Sequence, residues 1–287
     1  MTKAVTIRTG KQGKHALRLV QQGAVFSGLA DGKILASGED ADAVWVLLQS
    51  ELGKLDPKYF GYGGARARFL SIFPDGFADP GYAGHERDYK DKARAKLMAT
   101  LLPEAAAESS GQGEAILSVF RATNLLSTFE QIRIQEVLRG KNADAFVRAA
   151  GRFTLSGDGA SLTEMATALE PHAAATWPVV TYLPYLWAPD RHMFLKPTVT
   201  HDFAARVGHS FRDAYESKIG IEVYQCLLDL TSKTEAEIAD LQPRDRIDLQ
   251  SFIWVIGAYD DPKDGAPERF RDPDVFVVKP QGPVSAS

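Results

Sequence analysis

Residues 85–102 read His85-Glu86-Arg87-Asp88-Tyr89-Lys90-Asp91-Lys92-Ala93-Arg94-Ala95-Lys96-Leu97-Met98-Ala99-Thr100-Leu101-Leu102. Tyr89, Ala93, Leu97 and Leu101 recur every four residues, and charge fills the positions between them. That is the period of an amphipathic α-helix with one buried stripe. Toward the C-terminus, an Ala/Ser/Gly-rich connection at 105–113 reads as flexible. Helical patterns then follow at 114–124, 127–139 and 142–153, so 85–153 is expected to form a helical bundle. Ser156-Gly157-Asp158-Gly159 marks a candidate boundary. Beyond it, 162–169, 179–187, 200–207 and 221–241 read as helices and 193–195 as a short strand. The apolar run Phe252-Ile253-Trp254-Val255-Ile256 leaves 245–258 open between a buried helix and a core strand. The Pro-rich acidic segment after Asp260 is expected to be a loose tail.

Toward the N-terminus, 74–84 reads as an ordered loop, 65–73 as a helix and Gly61–Gly64 as a break. Asp40 is a candidate N-cap for a helix through Leu52 with Val44, Trp45, Leu47 and Leu48 on its buried side. Residues 24–29 and 33–36 read as strands joined at Asp31-Gly32, 14–22 as a helix and 4–8 as a strand. The expected fold is therefore α+β and predominantly helical. A small α+β unit (1–55) precedes a helical bundle (56–155), a mostly helical C-terminal part (156–260) and the tail (261–287).

The chain has 287 residues, 45% hydrophobic and 24% charged, which is ordinary for a folded protein. Its formal net charge of −4 excludes a global polycation, so contact with phosphate needs a local patch. Cys226 is the single cysteine, so no internal disulfide and no Cys-based zinc site is possible. The N-terminus does not read as a signal peptide, and no run approaches the roughly 18–20 apolar residues of a membrane span. A reducing, cytoplasmic location without membrane contact is expected.

Several stretches carry candidate chemistry. Gly10-Lys11-Gln12-Gly13-Lys14-His15, between an expected strand and an expected helix, is where a phosphate loop would stand. It has two residues between its glycines and lacks the Ser/Thr that follows the lysine in a P-loop, so a tight turn is the plainer reading. Pro74-Asp75 followed by Asp88-Tyr89-Lys90 matches the degenerate PD-(D/E)xK nuclease signature. There, two carboxylates would hold a metal ion and the lysine would position the attacking water. The competing reading is an acidic helix start favoured by the helix dipole.

Arg66 and Arg68, with Arg87, Lys90, Lys92, Arg94 and Lys96, form the densest basic cluster, interleaved with aromatic residues that include Tyr89. Cations with aromatics suit phosphate neutralisation and base stacking. Glu86, Asp88 and Asp91 dilute the cluster toward an ion-paired face. His192, His201, Asp202 and His209 are too widely spaced for a helical metal site, so no metal or cofactor is assigned. Asp245 and Asp248 precede the apolar run as a cap and a first-turn acid. No Gly-x-Ser-x-Gly is present.

Arg8, Gly10, Gly23, Val25 and Gly28 fall in a strand ending in Arg-x-Gly, a helix, and a Gly-Val-x-x-Gly strand. In this respect residues 4–29 resemble the opening of PUA/EVE-like modules of prokaryotic restriction and defence proteins. The resemblance implies a reader of nucleic acid. Together with the basic–aromatic stretch it makes a non-enzymatic nucleic-acid-associated protein, such as a restriction or defence accessory, the leading expectation. Arg66, Arg68, Arg87, Lys90, Arg94 and Tyr89 are the expected contacts. The alternatives are a metal-dependent nuclease or hydrolase using Asp75, Asp88 and Lys90, or a protein–protein scaffold docking through the aromatic 182–194 segment.

Overall fold

The computed structural model describes residues 4–12, 14–55 and 58–258. The expected tail at 261–287 lies outside them. The chain is a predominantly helical α+β protein with a four-stranded antiparallel sheet, order β1-β2-β3-β4, at its N-terminus. The strands are β1 Val5–Gln12, β2 His15–Gln22, β3 Val25–Ala30 and β4 Lys33–Gly38. Residues 15–22 are therefore a strand and not the expected helix. Leu17 and Leu19 are buried while Ala16 before them and Arg18 between them are exposed, a period of two. Short turns leave no room for a crossover. Gly23 has φ +64°, and Asp31 and Gly32 have φ of 49° and 85°, the paired positive values of a type I′ hairpin turn.

Helix α1, Ala41–Gly53, starts at Asp40, whose carboxylate accepts the Ala43 N–H at 2.7 Å as anticipated. It lays Val44, Leu48 and Leu52 on Leu17, Leu19, Ala30 and Ala36 to form a small separate core. Glycine is needed where helix and sheet meet. A Cβ on Gly28 would stand 2.9 Å from Leu48 Cβ, and one on Gly10 3.0 Å from the Trp45 ring. Arg8 lies 5.3 Å over the Trp45 ring and bonds Asp42 at 2.7 Å. Three of the residues that carry the resemblance, Arg8, Gly10 and Gly28, thus stand where the sheet meets its helix.

The helical part begins with α2, Gly61–Ile72, so the glycines at 61–64 form its first turn and do not break it. Gly61, at φ +73°, supports that start. Residues 76–87 are a succession of tight helical turns, including α3, Pro80–Tyr82, leading into α4, Asp88–Thr100. The expected flexible connection at 105–113 takes in most of α5, Pro103–Glu108, and the first residue of α6, Gly113–Phe120. Next come α7, Thr128–Arg139, started by a complete Ser127/Glu130 capping box, and α8, Ala143–Ser156. The stretch 156–159 is the left-handed turn at Gly157 between α8 and α9, Gly159–Leu169.

Residues 193–195 are buried irregular chain and not a strand. Helices α10, Trp177–Trp187, α11, Pro197–Val207, α12, Phe211–Ala214, α13, Ile221–Glu237, and α14, Arg246–Ala258, complete the described chain. The run at 252–256 is thus helical. Every residue of α10 is buried, as is every residue of α14 from Ile247 to Ile256. Buried on all sides, these two are central helices. One apolar core takes residues from Ala65 to Ile256 and so includes helices on both sides of the 156–159 turn. No described helix is long and apolar enough to cross a membrane.

Candidate nucleic-acid interface

Two members of the basic cluster at 66–96, Arg87 and Lys90, are drawn inward, while Lys92 and Lys96 are exposed. Arg87 is 7% exposed and binds three carboxylates: Asp91 at 2.8 Å, Asp245 at 2.6 and 2.9 Å, and Asp248 at 2.9 Å. Lys90 is fully buried, with Nζ 2.7 Å from Ser251 Oγ and 3.3 Å from Glu86 Oε2. Burial pushes the Lys90 ammonium below its ordinary pKa, against the opposing pull of Glu86. Arg66 spends its guanidinium on Asp240. Arg68, Arg94 and Tyr89 are half-buried, and Tyr89 lies under its neighbour's Lys90 Nζ. Arg87 and Lys90 are therefore corrected from surface contacts to members of a buried ionic network.

At the centre of that network is Asp248, 0% exposed, on the first turn of α14. It accepts the Tyr82 hydroxyl, Arg87, and the side chain and backbone N–H of Arg244. Burial alone would raise its carboxyl pKa. The bonds from Arg244 and Tyr82 outweigh burial and hold it below the ordinary value. Asp245, beside it, accepts the Ile247 N–H in addition to Arg87.

The nuclease arrangement also dissolves. Asp75 is exposed at a turn, Asp88 is exposed at the start of α4, and Lys90 points into the protein. A lysine sealed between Glu86 and Ser251 cannot position water beside an exposed carboxylate. Among the described residues, no group of three or more His, Cys, Asp or Glu could hold a metal ion. The histidines serve elsewhere. His192 bridges Tyr224 and the Thr154 carbonyl inside the core, His209 bonds Asp229 at 3.0 Å, and His201 packs edge-on to Tyr215. Tyr182, Tyr185, Trp187 and Phe194 are 0–3% exposed, so the aromatic side chains expected to dock a partner are core residues.

A different surface carries exposed positive residues. The four strands contain Arg8, Lys11, Arg18 and Lys33 and no carboxylate. Side chains alternate across a strand, so the pairing register sorts them onto two faces. Arg8 pairs with Leu19 and thus shares the helix-covered face. Lys11 pairs with Ala16, and one row runs Thr9, Arg18, Leu29, Ile34 across the four strands on the opposite face. A second row on that face runs Thr6, Val20, Ser27, Ser37.

Thr6, Thr9, Lys11, Arg18, Ile34 and Ser37 are all exposed, and Lys14 and Lys33 extend the charge at the rim. Two acids beside the sheet have their own partners: Asp42 holds Arg8, and Asp31 holds His15 and the Ala16 N–H. Reading 14–22 as a helix hides this face. The buried Leu17 and Leu19 with Arg18 between them are the signal that reveals it. In the Gly10–His15 stretch, Gly10–Gln12 end β1 and His15 opens β2, so no helix follows and the helix N-terminus of a phosphate loop is lacking.

No family model matches the chain, and no curated protein or solved structure matches it.

Proposed function

We propose that the protein is a nucleic-acid-associated binding protein that contacts phosphate through the open face of its N-terminal sheet. One observation carries the reading: Lys11 and Arg18 stand exposed on the open face with Lys14 and Lys33 at its rim, and the strands hold no carboxylate, within a chain whose net charge is −4. A local cationic surface on an acidic protein is what selective phosphate contact requires. The hydroxyls of Thr6, Thr9, Ser27 and Ser37 on the same face can donate to phosphate or sugar oxygens. The face has no aromatic side chain, so backbone contact outweighs base stacking and little sequence preference is expected.

The test is a gel-shift series at low salt with single- and double-stranded DNA and RNA. Binding should weaken steeply with salt, and Lys11→Glu with Arg18→Glu should weaken it by about tenfold or more while Arg66→Glu changes it little. Absence of binding at low salt, or equal loss from Arg66→Glu and the sheet pair, would sink the reading.

A further inference from the structure

Helix α14 carries one polar side chain into an aromatic surrounding without a partner for its oxygen. Gln250 is 4% exposed, and its amide oxygen Oε1 makes no hydrogen bond within the protein. A buried acceptor left unpaired costs free energy unless a donor reaches it. The other buried polar residues of this helix show the contrast. Ser251 gives its hydroxyl to the Ile247 carbonyl, and Asp248 is bonded by Tyr82, Arg87 and Arg244. Gln250 takes no part in that network.

Gln250 lines a narrow recess of about 20 Å³. That is room for about one water-sized group. Trp254 follows Gln250 by four residues and so stands on the same face of α14. Tyr89 of α4 and Phe194 of the irregular stretch 193–195 complete an aromatic lining. Phe194 is itself packed against the rings of Tyr185 and Tyr182, whose centroids lie 5.8 and 6.4 Å away. Asn124, which is exposed, brings the lining out to the surface. Lys196 is also in the wall, 8% exposed, with its Nζ 3.5 Å from the Leu125 carbonyl oxygen. Its ammonium is thus already engaged and acts here as a fixed positive charge.

These walls define what can enter. An unpaired amide oxygen needs a donor, which an ionised carboxylate does not offer. A fixed ammonium in the wall repels a cationic donor. A neutral O–H or N–H satisfies both conditions. Three aromatic side chains favour a flat ring behind it. We infer that this recess binds a small neutral aromatic hydrogen-bond donor, of the phenol or indole class. Its O–H or N–H enters and donates to Gln250 Oε1, and its ring stays in the aromatic mouth. The site belongs to the helical part of the chain and acts whether or not nucleic acid binds the sheet.

Phenol and toluene are close in size and differ by a hydroxyl in place of a methyl, so the pair isolates the donor. Each is titrated into the full chain by saturation-transfer NMR near neutral pH, with benzylamine, a cation there, as a further probe. Phenol should bind saturably and toluene about tenfold more weakly, because a site built around an unpaired polar atom rejects the analogue that cannot pair with it. Benzylamine should not bind. Gln250→Leu should reduce phenol to the level of toluene and leave toluene unchanged. Asn124→Trp, a bulky change at the exposed mouth and away from the core, should abolish phenol binding with the circular-dichroism spectrum unchanged. Equal binding of phenol and toluene, no saturable binding of phenol at millimolar concentration (a water alone at Gln250), or phenol binding untouched by Asn124→Trp would overturn the inference.

Discussion

Asp248 gathers Tyr82, Arg87 and Arg244 around one buried carboxylate. Removing it leaves the buried Tyr82 hydroxyl without its acceptor and takes one of three carboxylates from Arg87, and breaking a buried ion pair one-sidedly costs about 3–5 kcal/mol. Asp248→Ala should therefore lower unfolding stability by about that amount in urea titration. A cost within that of an ordinary surface change would contradict the network. The sequence shows Asp245 and Asp248 as cap and first-turn acid, which they are. It cannot show that Arg87, far away in the chain, completes them. His192 makes a second residue-scale prediction. Its Nε2 donates to the Thr154 carbonyl and its Nδ1 accepts from the Tyr224 hydroxyl, so the ring is held neutral. Burial pushes its pKa down from 6.5 to about 4. Above pH 6.5 the ring is neutral in both folded and unfolded chains and costs nothing. As pH falls from 6.5 toward 4 only the unfolded chain takes the proton, so stability drops by up to about 3 kcal/mol across that window. His192→Gln should flatten this part of the stability–pH curve. An unchanged slope would show that other groups cause it.

Among the elements, β2 is the most instructive. Charged and amide side chains at both ends of 14–22 dilute its alternation, and Ala16, Leu17, Leu19 and Val20 can also be drawn as a helical stripe. Tertiary pairing decides the outcome, because β2 hydrogen-bonds β1 on one side and β3 on the other. Its neighbours at 25–30 and 33–38 were legible from the Asp31-Gly32 turn, and α1 from Asp40. Gly28 binds the two together by letting Leu48 approach. Gly28→Val should push α1 off the sheet and cost about 1–3 kcal/mol, the usual range for overpacking. Hydrogen exchange should report faster opening across 15–52 and little change in α10 or α14, whose core is separate. Uniform acceleration through both cores would contradict that separation. The helices around 85–153 were legible from their period. The inward turn of Arg87 and Lys90 was not, since a cation among acids reads as a solvated face until the partner helix α14 is placed.

For the molecule as a whole, charge and its placement govern the proposed function. An acidic chain repels polyanions at long range, and only its short-range surface can reverse that. The described cations of the helical part are largely committed to carboxylates or half-buried, whereas the sheet presents Lys11, Lys14, Arg18 and Lys33 outward. Position in the fold, not density along the sequence, thus separates a binding face from an ion-paired one. The most direct test locates the contact. Ultraviolet crosslinking of the full chain to a 5-bromouracil-substituted oligonucleotide at low salt, followed by peptide mass spectrometry, reads it residue by residue. The account predicts crosslinks within 5–38 that disappear with Lys11→Glu and Arg18→Glu. Crosslinks confined to 66–96, or none at all, would contradict it.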